Sequence, residues 1–230
     1  MSEIFKSLKN GLIVSCQAED DSPFNSPEAV VMFAKAAVQG GAAAIRSEGV
    51  EKTKMILNQV HVPVIGLLKS KFEDGYVRIT GSFKEVEKLF EIGCHIIAID
   101  GTFRKREGLR GPEFISEVKS RFNTIVMADV STYAEGIACA DYGADCISTT
   151  LSGYTPDTKY YPMDKPDYDI VEKLVRDVKI PVIAEGRINR PEFASGMISR
   201  GAWCVVVGTA ITRPKSITSW YVEAIKAGLQ

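Results

Sequence analysis

Val62-Pro63-Val64-Ile65-Gly66-Leu67-Leu68-Lys69 is an apolar run, entered through proline and closed by a lysine. A short run dominated by Val, Ile and Leu, without polar alternation, reads as a strand buried on both faces, as in a parallel sheet. The same proline entry recurs at Lys179-Ile180-Pro181-Val182-Ile183. Outward from these two, similar runs stand at residues 11–16, 42–45, 62–68, 95–99, 124–128, 145–148, 180–184 and 203–207. The segments between them carry helix signals. Ser26-Pro27-Glu28 supplies an N-cap and a first-turn proline ahead of residues 29–38, and Ser82 with Glu85 spells a capping box ahead of 86–92. Pro191 opens another helix after Asn189-Arg190. The even-numbered strands follow Gly40-Gly41, Gly93, Gly143 and Gly201, glycines suited to the left-handed position just past a helix end. The repeating unit is therefore strand, helix, strand, helix. Eight β/α units in 230 residues predict an α/β fold, a single-domain TIM (β/α)8 barrel over residues 1–230. The competing doubly wound sheet favours a glycine-rich first turn, which Ser15-Cys16-Gln17-Ala18 is not.

Composition narrows the partners. A net charge of −1 gives no electrostatic case for nucleic acid or an anionic membrane. Five cysteines are scattered among apolar residues with no C-x-x-C pair, which reads as reduced core thiols in a cytosolic protein. No apolar run approaches the ~18 residues of a membrane span, and Met1-Ser2-Glu3-Ile4-Phe5-Lys6 lacks a signal peptide's apolar stretch. The expectation is a soluble, cytoplasmic protein. The longest loop, 153–167, is polar and contains proline, and reads as a lid or a variable surface loop.

In such a barrel the chemistry lies at the C-terminal strand ends. In order, the expected strands end at Gln17, Arg46, Lys69, Asp100, Asp129, Thr149-Thr150, Glu185-Gly186-Arg187 and Gly208-Thr209. The only histidines, His61 and His95, enter strands at the opposite face and read as structural, leaving none for acid–base work or a zinc site. An oxygen-ligand Mg²⁺ site on Asp100 and Asp129 is the metal alternative; the reading adopted has no metal and no cofactor. Lys69 is expected to reach from its strand end into a desolvated pocket, where burial lowers its pKa and makes it a general base. The competing reading is a lysine that snorkels its charge to water. The glycines of Ala184-Glu185-Gly186-Arg187 and Val207-Gly208-Thr209-Ala210 follow strands seven and eight, where TIM barrels commonly bind phosphate, and Arg187 and Arg213 could add charge-assisted bonds.

A lysine, carboxylates, and neither histidine nor metal suit proton transfer at a carbon acidified by a carbonyl. A Schiff-base lysine aldolase acting on a sugar phosphate uses the same groups, and a non-catalytic phosphosugar-binding module is the alternative from another class. The blocks Gly11-Leu12-Ile13-Val14-Ser15-Cys16-Gln17-Ala18, Pro63-Val64-Ile65-Gly66-Leu67-Leu68-Lys69, Thr149-Thr150-Leu151-Ser152-Gly153-Tyr154-Thr155, Ile183-Ala184-Glu185-Gly186-Arg187 and Ala210-Ile211-Thr212-Arg213-Pro214 resemble the N-acetylmannosamine-6-phosphate 2-epimerase family. The resemblance runs from Gly11 to about Pro214. It implies an isomerase of sialic-acid and amino-sugar catabolism that interconverts N-acetylmannosamine 6-phosphate and N-acetylglucosamine 6-phosphate, and a homodimer. By resemblance Lys69 is the catalytic base; Gln17, Arg46, Asp129, Glu185 and Arg213 line the sugar site. Thr149 and Tyr154, from the block after strand six, are placed there with them. Gly186, Arg187, Gly208 and Thr209 match the phosphate loops. Inversion at C2 then needs a proton on the other face, delivered by Glu185 or by Lys69 after the intermediate turns. Two positions depart from the family pattern: Ser70-Lys71-Phe72 follows Lys69 where an arginine-aspartate pair is usual, and Glu107 follows Arg106 where proline is usual.

Overall fold

The structure is a computed structural model that describes residues 2–18 and 21–229. Eight parallel strands close into a barrel: β1 (Leu12–Cys16), β2 (Ala44–Glu48), β3 (Val64–Leu67), β6 (Ile96–Asp100), β7 (Val126–Asp129), β8 (Cys146–Ser148), β9 (Val182–Glu185) and β10 (Cys204–Val207). The remaining strands, β4 (Lys69–Lys71) and β5 (Val77–Ile79), form a separate antiparallel hairpin. Helices α2 (Pro27–Gln39), α3 (Val50–Leu57), α4 (Phe83–Glu91), α5 (Gly111–Arg121), α6 (Tyr133–Asp141), α7 (Tyr168–Asp177) and α8 (Pro191–Ser199) connect the barrel strands. The chain opens with α1 (Glu3–Leu8) and closes with α9 (Thr209–Thr212) and α10 (Pro214–Ala227).

All eight expected strands are present. Ser26 Oγ accepts from the Ala29 N–H, Pro27 holds the first helical position, and Gly41, Gly93, Gly143 and Gly201 have φ of +80° to +93°. Residues that point into the barrel, among them Ile13, Ile65, Leu67, Met127, Ile183 and Val206, form one apolar cluster with Phe5 and Leu8 of α1. Helix α1 thus closes the N-terminal end, anchored where Trp203 Nε1 donates to the Phe5 carbonyl at 2.7 Å. A second apolar layer lies between strands and helices. His95 is structural, since its Nδ1 accepts from the Val64 N–H at 3.2 Å.

Three expectations need correction. Strand two ends at Glu48, not at Arg46, so Arg46 lies two residues inside the barrel. Strand three stops at Leu67, because Lys69 begins the hairpin and pairs with Ile79. Asp74-Gly75, with Gly75 at φ +81°, is the turn signal that locates this hairpin. Third, the capping box at α4 is only half made. Ser82 Oγ accepts from the Glu85 N–H, but the Glu85 carboxylate turns away to accept from the Ser70 hydroxyl and the Gly81 N–H. Ser70, one of the departures from the family pattern, therefore ties the hairpin to α4. Glu107, the other, accepts from the Phe83 N–H at the start of the same helix.

Because bonds to a charged acceptor contribute about 1.5–3 kcal/mol, Glu85→Ala is expected to release the hairpin and destabilise the protein by ~2 kcal/mol. Thermal unfolding should show a Tm lower by about 4–8 °C, and an unchanged Tm would mean that the tether carries no stability.

Candidate active site

The C-terminal ends of the strands surround a cavity of about 520 Å³. Arg46 lines its floor, and Asp129, expected at the sugar, lies beneath Arg46 as its ion-pair partner and does not line the cavity. Arg46 from β2 donates to both oxygens of Asp129 from β7, at 3.1 and 2.6 Å, and the two side chains are 1% and 0% exposed. Arg46 Nη1 also lies 3.3 Å from Glu185 Oε2, at the end of β9. Burial works against the charge on Arg46, but Asp129 and Glu185 outweigh it and hold the guanidinium more firmly protonated than usual. Burial pushes the Asp129 carboxyl up to about 6, with the Glu185 charge adding to the rise and Arg46 and Thr150 pulling against it.

Lys69 stands on the opposite side. Its Nζ donates to Gln17 Oε1 at 2.9 Å, and Gln17 Nε2 donates to Ser15 Oγ at 2.8 Å. The expected desolvated pocket is not what surrounds it: Lys69 is exposed, because it heads the hairpin at the cavity rim instead of ending a barrel strand. Tyr76 and Val77 bring the rest of the hairpin over the same cavity.

At the far side, Gly186, Gly208, Thr209 and Arg213 all line the cavity. Gly186 has φ +107°, a conformation that a side chain would strain. Arg187 is bound differently from expectation. Its Nε donates to the Lys165 carbonyl at 2.8 Å and its Nη1 to the Ser152 carbonyl, so the guanidinium pins both ends of the 153–167 loop. That loop is built into the fold, with Thr155 and Thr158 buried. Tyr154 faces the cavity beside Arg187, whose guanidinium carbon is 5.8 Å from the ring centre.

Thr149 does not face the cavity. Its hydroxyl bridges strands by donating to the Glu185 carbonyl at 2.9 Å and accepting from the Glu185 N–H at 3.1 Å. The next residue, Thr150, is the one that enters, with Oγ1 2.7 Å from Asp129 Oδ1 and 2.8 Å from Glu185 Oε2. Sequence had put both threonines at the strand end, and the partners that each hydroxyl finds separate them. Arg104 was missed altogether. It lines the cavity and is fixed by Asp100 Oδ2 at 2.7 Å and Thr102 Oγ1 at 3.0 Å. Its place four residues past the end of β6 was the available signal. Asp100 also accepts from Arg106 Nη2 at 2.8 Å. Asp100 and Asp129, considered above as Mg²⁺ ligands, are thus each already paired with guanidinium groups, and among the described residues no cluster of three or more His, Cys, Asp or Glu could hold a metal ion.

Comparison with known proteins decides the family. The family model described as "Putative N-acetylmannosamine-6-phosphate epimerase" matches residues 30–227. This chain belongs to that family. Within it, proteins named "Putative N-acetylmannosamine-6-phosphate 2-epimerase" from Caldanaerobacter subterraneus subsp. tengcongensis and Clostridioides difficile are 49% and 46% identical to the chain. The alignments cover 97% and 95% of this chain and 94% and 97% of those proteins. The solved N-acetylmannosamine-6-phosphate 2-epimerase of Clostridium perfringens superposes with a TM-score of 0.89 at 41% identity, over 97% of this chain and 96% of that one. A thiamine phosphate pyrophosphorylase from Pyrococcus furiosus, at 18% identity and a TM-score of 0.63, shares the fold alone.

The epimerase-family fold here places a charged pair where an apolar core would otherwise fill the barrel, and breaking such a pair from one side leaves a buried charge. Asp129→Asn is therefore expected to cost about 3–5 kcal/mol in denaturant unfolding, and Arg46→Met combined with Asp129→Leu to recover most of it. A single variant as stable as the parent would contradict this account.

Proposed function

We propose that this protein is an N-acetylmannosamine-6-phosphate 2-epimerase, interconverting its substrate with N-acetylglucosamine 6-phosphate by proton transfer at C2. Family membership supports the reaction. The observation that supports the mechanism is the placement of Lys69 and Glu185. Around the barrel β3 and β9 are four strands apart, on diametrically opposite sides, and the lysine that follows one and the glutamate that ends the other line a single cavity. Two groups so placed can reach opposite faces of a flat intermediate, which is what inversion of a carbon requires.

The C2 hydrogen of an N-acylated amino sugar is acidic when C1 is an aldehyde, so the open-chain sugar reacts. Lys69, oriented by Gln17, removes the C2 proton. Arg46 is held by Asp129 and Glu185, and the second N–H of the Gln17 amide, beside Lys69, is the donor assigned to the enolate oxygen. Glu185 returns a proton from the other side. The phosphate occupies the Gly186–Arg187 and Gly208–Thr209 turns, with Arg213 beside it, and holds C2 between the two groups. Arg187 contributes through its backbone and by pinning the loop that carries Tyr154. The chemistry calls for no cofactor and no metal.

Lys69→Met should fold while losing at least ~10²-fold in kcat, the usual worth of a general base. In D₂O, Glu185→Gln should block epimerisation yet let Lys69 exchange the C2 proton of one epimer, observed by NMR. Retention of more than about a tenth of kcat by Lys69→Met rules out the lysine base, and proportional loss of exchange and epimerisation in Glu185→Gln returns both steps to Lys69. A borohydride-trapped adduct on Lys69 would move the protein to the Schiff-base class.

We further infer a homodimer in the cytoplasm. No residue of α10 is buried, its main packing partner is the short α9, and Trp220, Tyr221, Ile225 and Leu229 are exposed along it and just past its end. A contiguous apolar surface of that kind is costly on a monomer, and a second copy of the chain is the occupant that the family reading supplies. The five cysteines are unpaired, as a reducing compartment keeps them. Light scattering should give twice the 25.2 kDa chain mass, and Trp220→Glu with Ile225→Glu should give the single mass with the fold intact. A monomeric parent protein would overturn the inference.

A further inference from the structure

Thr150 Oγ1 has three oxygen neighbours within hydrogen-bond distance. Asp129 Oδ1 lies at 2.7 Å, Glu185 Oε2 at 2.8 Å and Ser148 Oγ at 2.8 Å. A hydroxyl donates once and accepts twice, so all three contacts can be hydrogen bonds, but each needs a proton between its oxygens. Thr150 supplies one and Ser148 supplies another. With Glu185 as the acid of the reading above, its carboxyl supplies the third; with Glu185 as the carboxylate, the Thr150 hydroxyl donates to it instead.

Both oxygens of Asp129 accept from Arg46, at 3.1 and 2.6 Å, a bidentate pairing that suits the carboxylate. Among the described residues, Glu185 Oε2 meets Arg46 Nη1 at 3.3 Å and Ser148 Oγ at 3.3 Å besides Thr150. In the acid form of Glu185, the network runs from the Glu185 carboxyl to Thr150, and from Thr150 to the Asp129 carboxylate.

We propose that Thr150 is the positioning residue that lets Glu185 hold and release its proton: the hydroxyl accepts from the Glu185 carboxyl before transfer and turns to donate to the Glu185 carboxylate after it. This rests on the reading above in which Glu185 returns the proton to C2. In the transfer, the Glu185 O–H bond breaks as the C2–H bond forms, the enolate electron pair moves to that bond, and the C1 carbonyl is restored. The Thr150 O–H then rotates from Asp129 Oδ1 to Glu185 Oε2, while Asp129 keeps both bonds from Arg46. No proton leaves Thr150. Lys69, now an ammonium, and Glu185, now a carboxylate, return to their starting states through solvent, to which the Glu185 side chain is 13% exposed.

The test compares Thr150→Val, which keeps the shape and removes the hydroxyl, with Thr150→Ser, which keeps the hydroxyl. Each is incubated in D₂O with the epimer whose C2–H faces Lys69, and exchange and epimerisation are followed by NMR. Thr150→Val should epimerise at least about tenfold more slowly, with exchange within about threefold of the parent and KM within about twofold, and Thr150→Ser should recover most of the loss. Should the valine variant not fold, Thr150→Ala is read in the same way. Epimerisation at the parental rate, an equal fall in exchange and epimerisation, or failure of serine to rescue would each overturn the proposal. Glu185→Gln, run alongside, separates the two ideas. If it epimerises normally, the reading of Glu185 fails; if it does not, while Thr150→Val is unaffected, only the role of Thr150 fails.

Discussion

The Arg46–Asp129 ion pair is the constraint around which this barrel is built. It takes the place of apolar layers at the C-terminal end, where the interior opens toward the cavity, and it joins β2 to β7 across the sheet. A buried pair of this kind contributes little net stability, because the desolvation of two ions offsets most of their attraction. Its effect is positional. With Arg46 fixed by two bonds to Asp129, its remaining reach defines where Glu185 can sit, and Thr150 closes the network from β8. Four strands are thereby locked into one arrangement of charge beneath the cavity.

The opposite wall follows a different principle. Lys69 is carried on a hairpin, outside the close-packed sheet, and it remains exposed until something covers it. Its orientation comes from the Gln17–Ser15 bonds on β1 and from the tether of Ser70 and Gly81 to Glu85 on α4. The floor is rigid and buried, whereas the lysine side is anchored by a few polar contacts. In the proposed reaction, desolvation of Lys69 accompanies binding, with the sugar and the hairpin together covering it. Arg104, whose Nη1 is 3.3 Å from the Val77 carbonyl, links the hairpin to the buried Asp100.

The third side of the cavity depends on Arg187. A side chain expected to reach for phosphate instead bonds two carbonyls of the long loop that follows β8. The charge is used to order backbone, which places Tyr154, and in the proposed reaction the glycine turns after β9 and β10 receive the phosphate through their amides.

Periodicity was enough to establish the barrel. Eight Val- and Ile-rich runs, helix-starting Ser26 and Pro27, and four helix-ending glycines are local signals, and each maps onto the element it announces because burial on both faces and cap geometry leave few alternatives. The residues gathered at the strand ends were legible for the same reason: in a parallel barrel all strand ends of one polarity converge. What the sequence did not carry was offset and partnership. Arg46 inside the barrel instead of at its rim, Thr150 in the cavity instead of Thr149, and Lys69 on a hairpin instead of in a dry pocket each turn on a shift of one or two residues. In a strand a shift of one residue reverses the face a side chain presents, and a shift of two keeps the face but moves the side chain about 6.6 Å along the barrel. Which carbonyls Arg187 binds, and that Glu85 serves Ser70 instead of completing its own cap, depend on segments distant in the chain. Only the folded chain brings those segments within bonding distance.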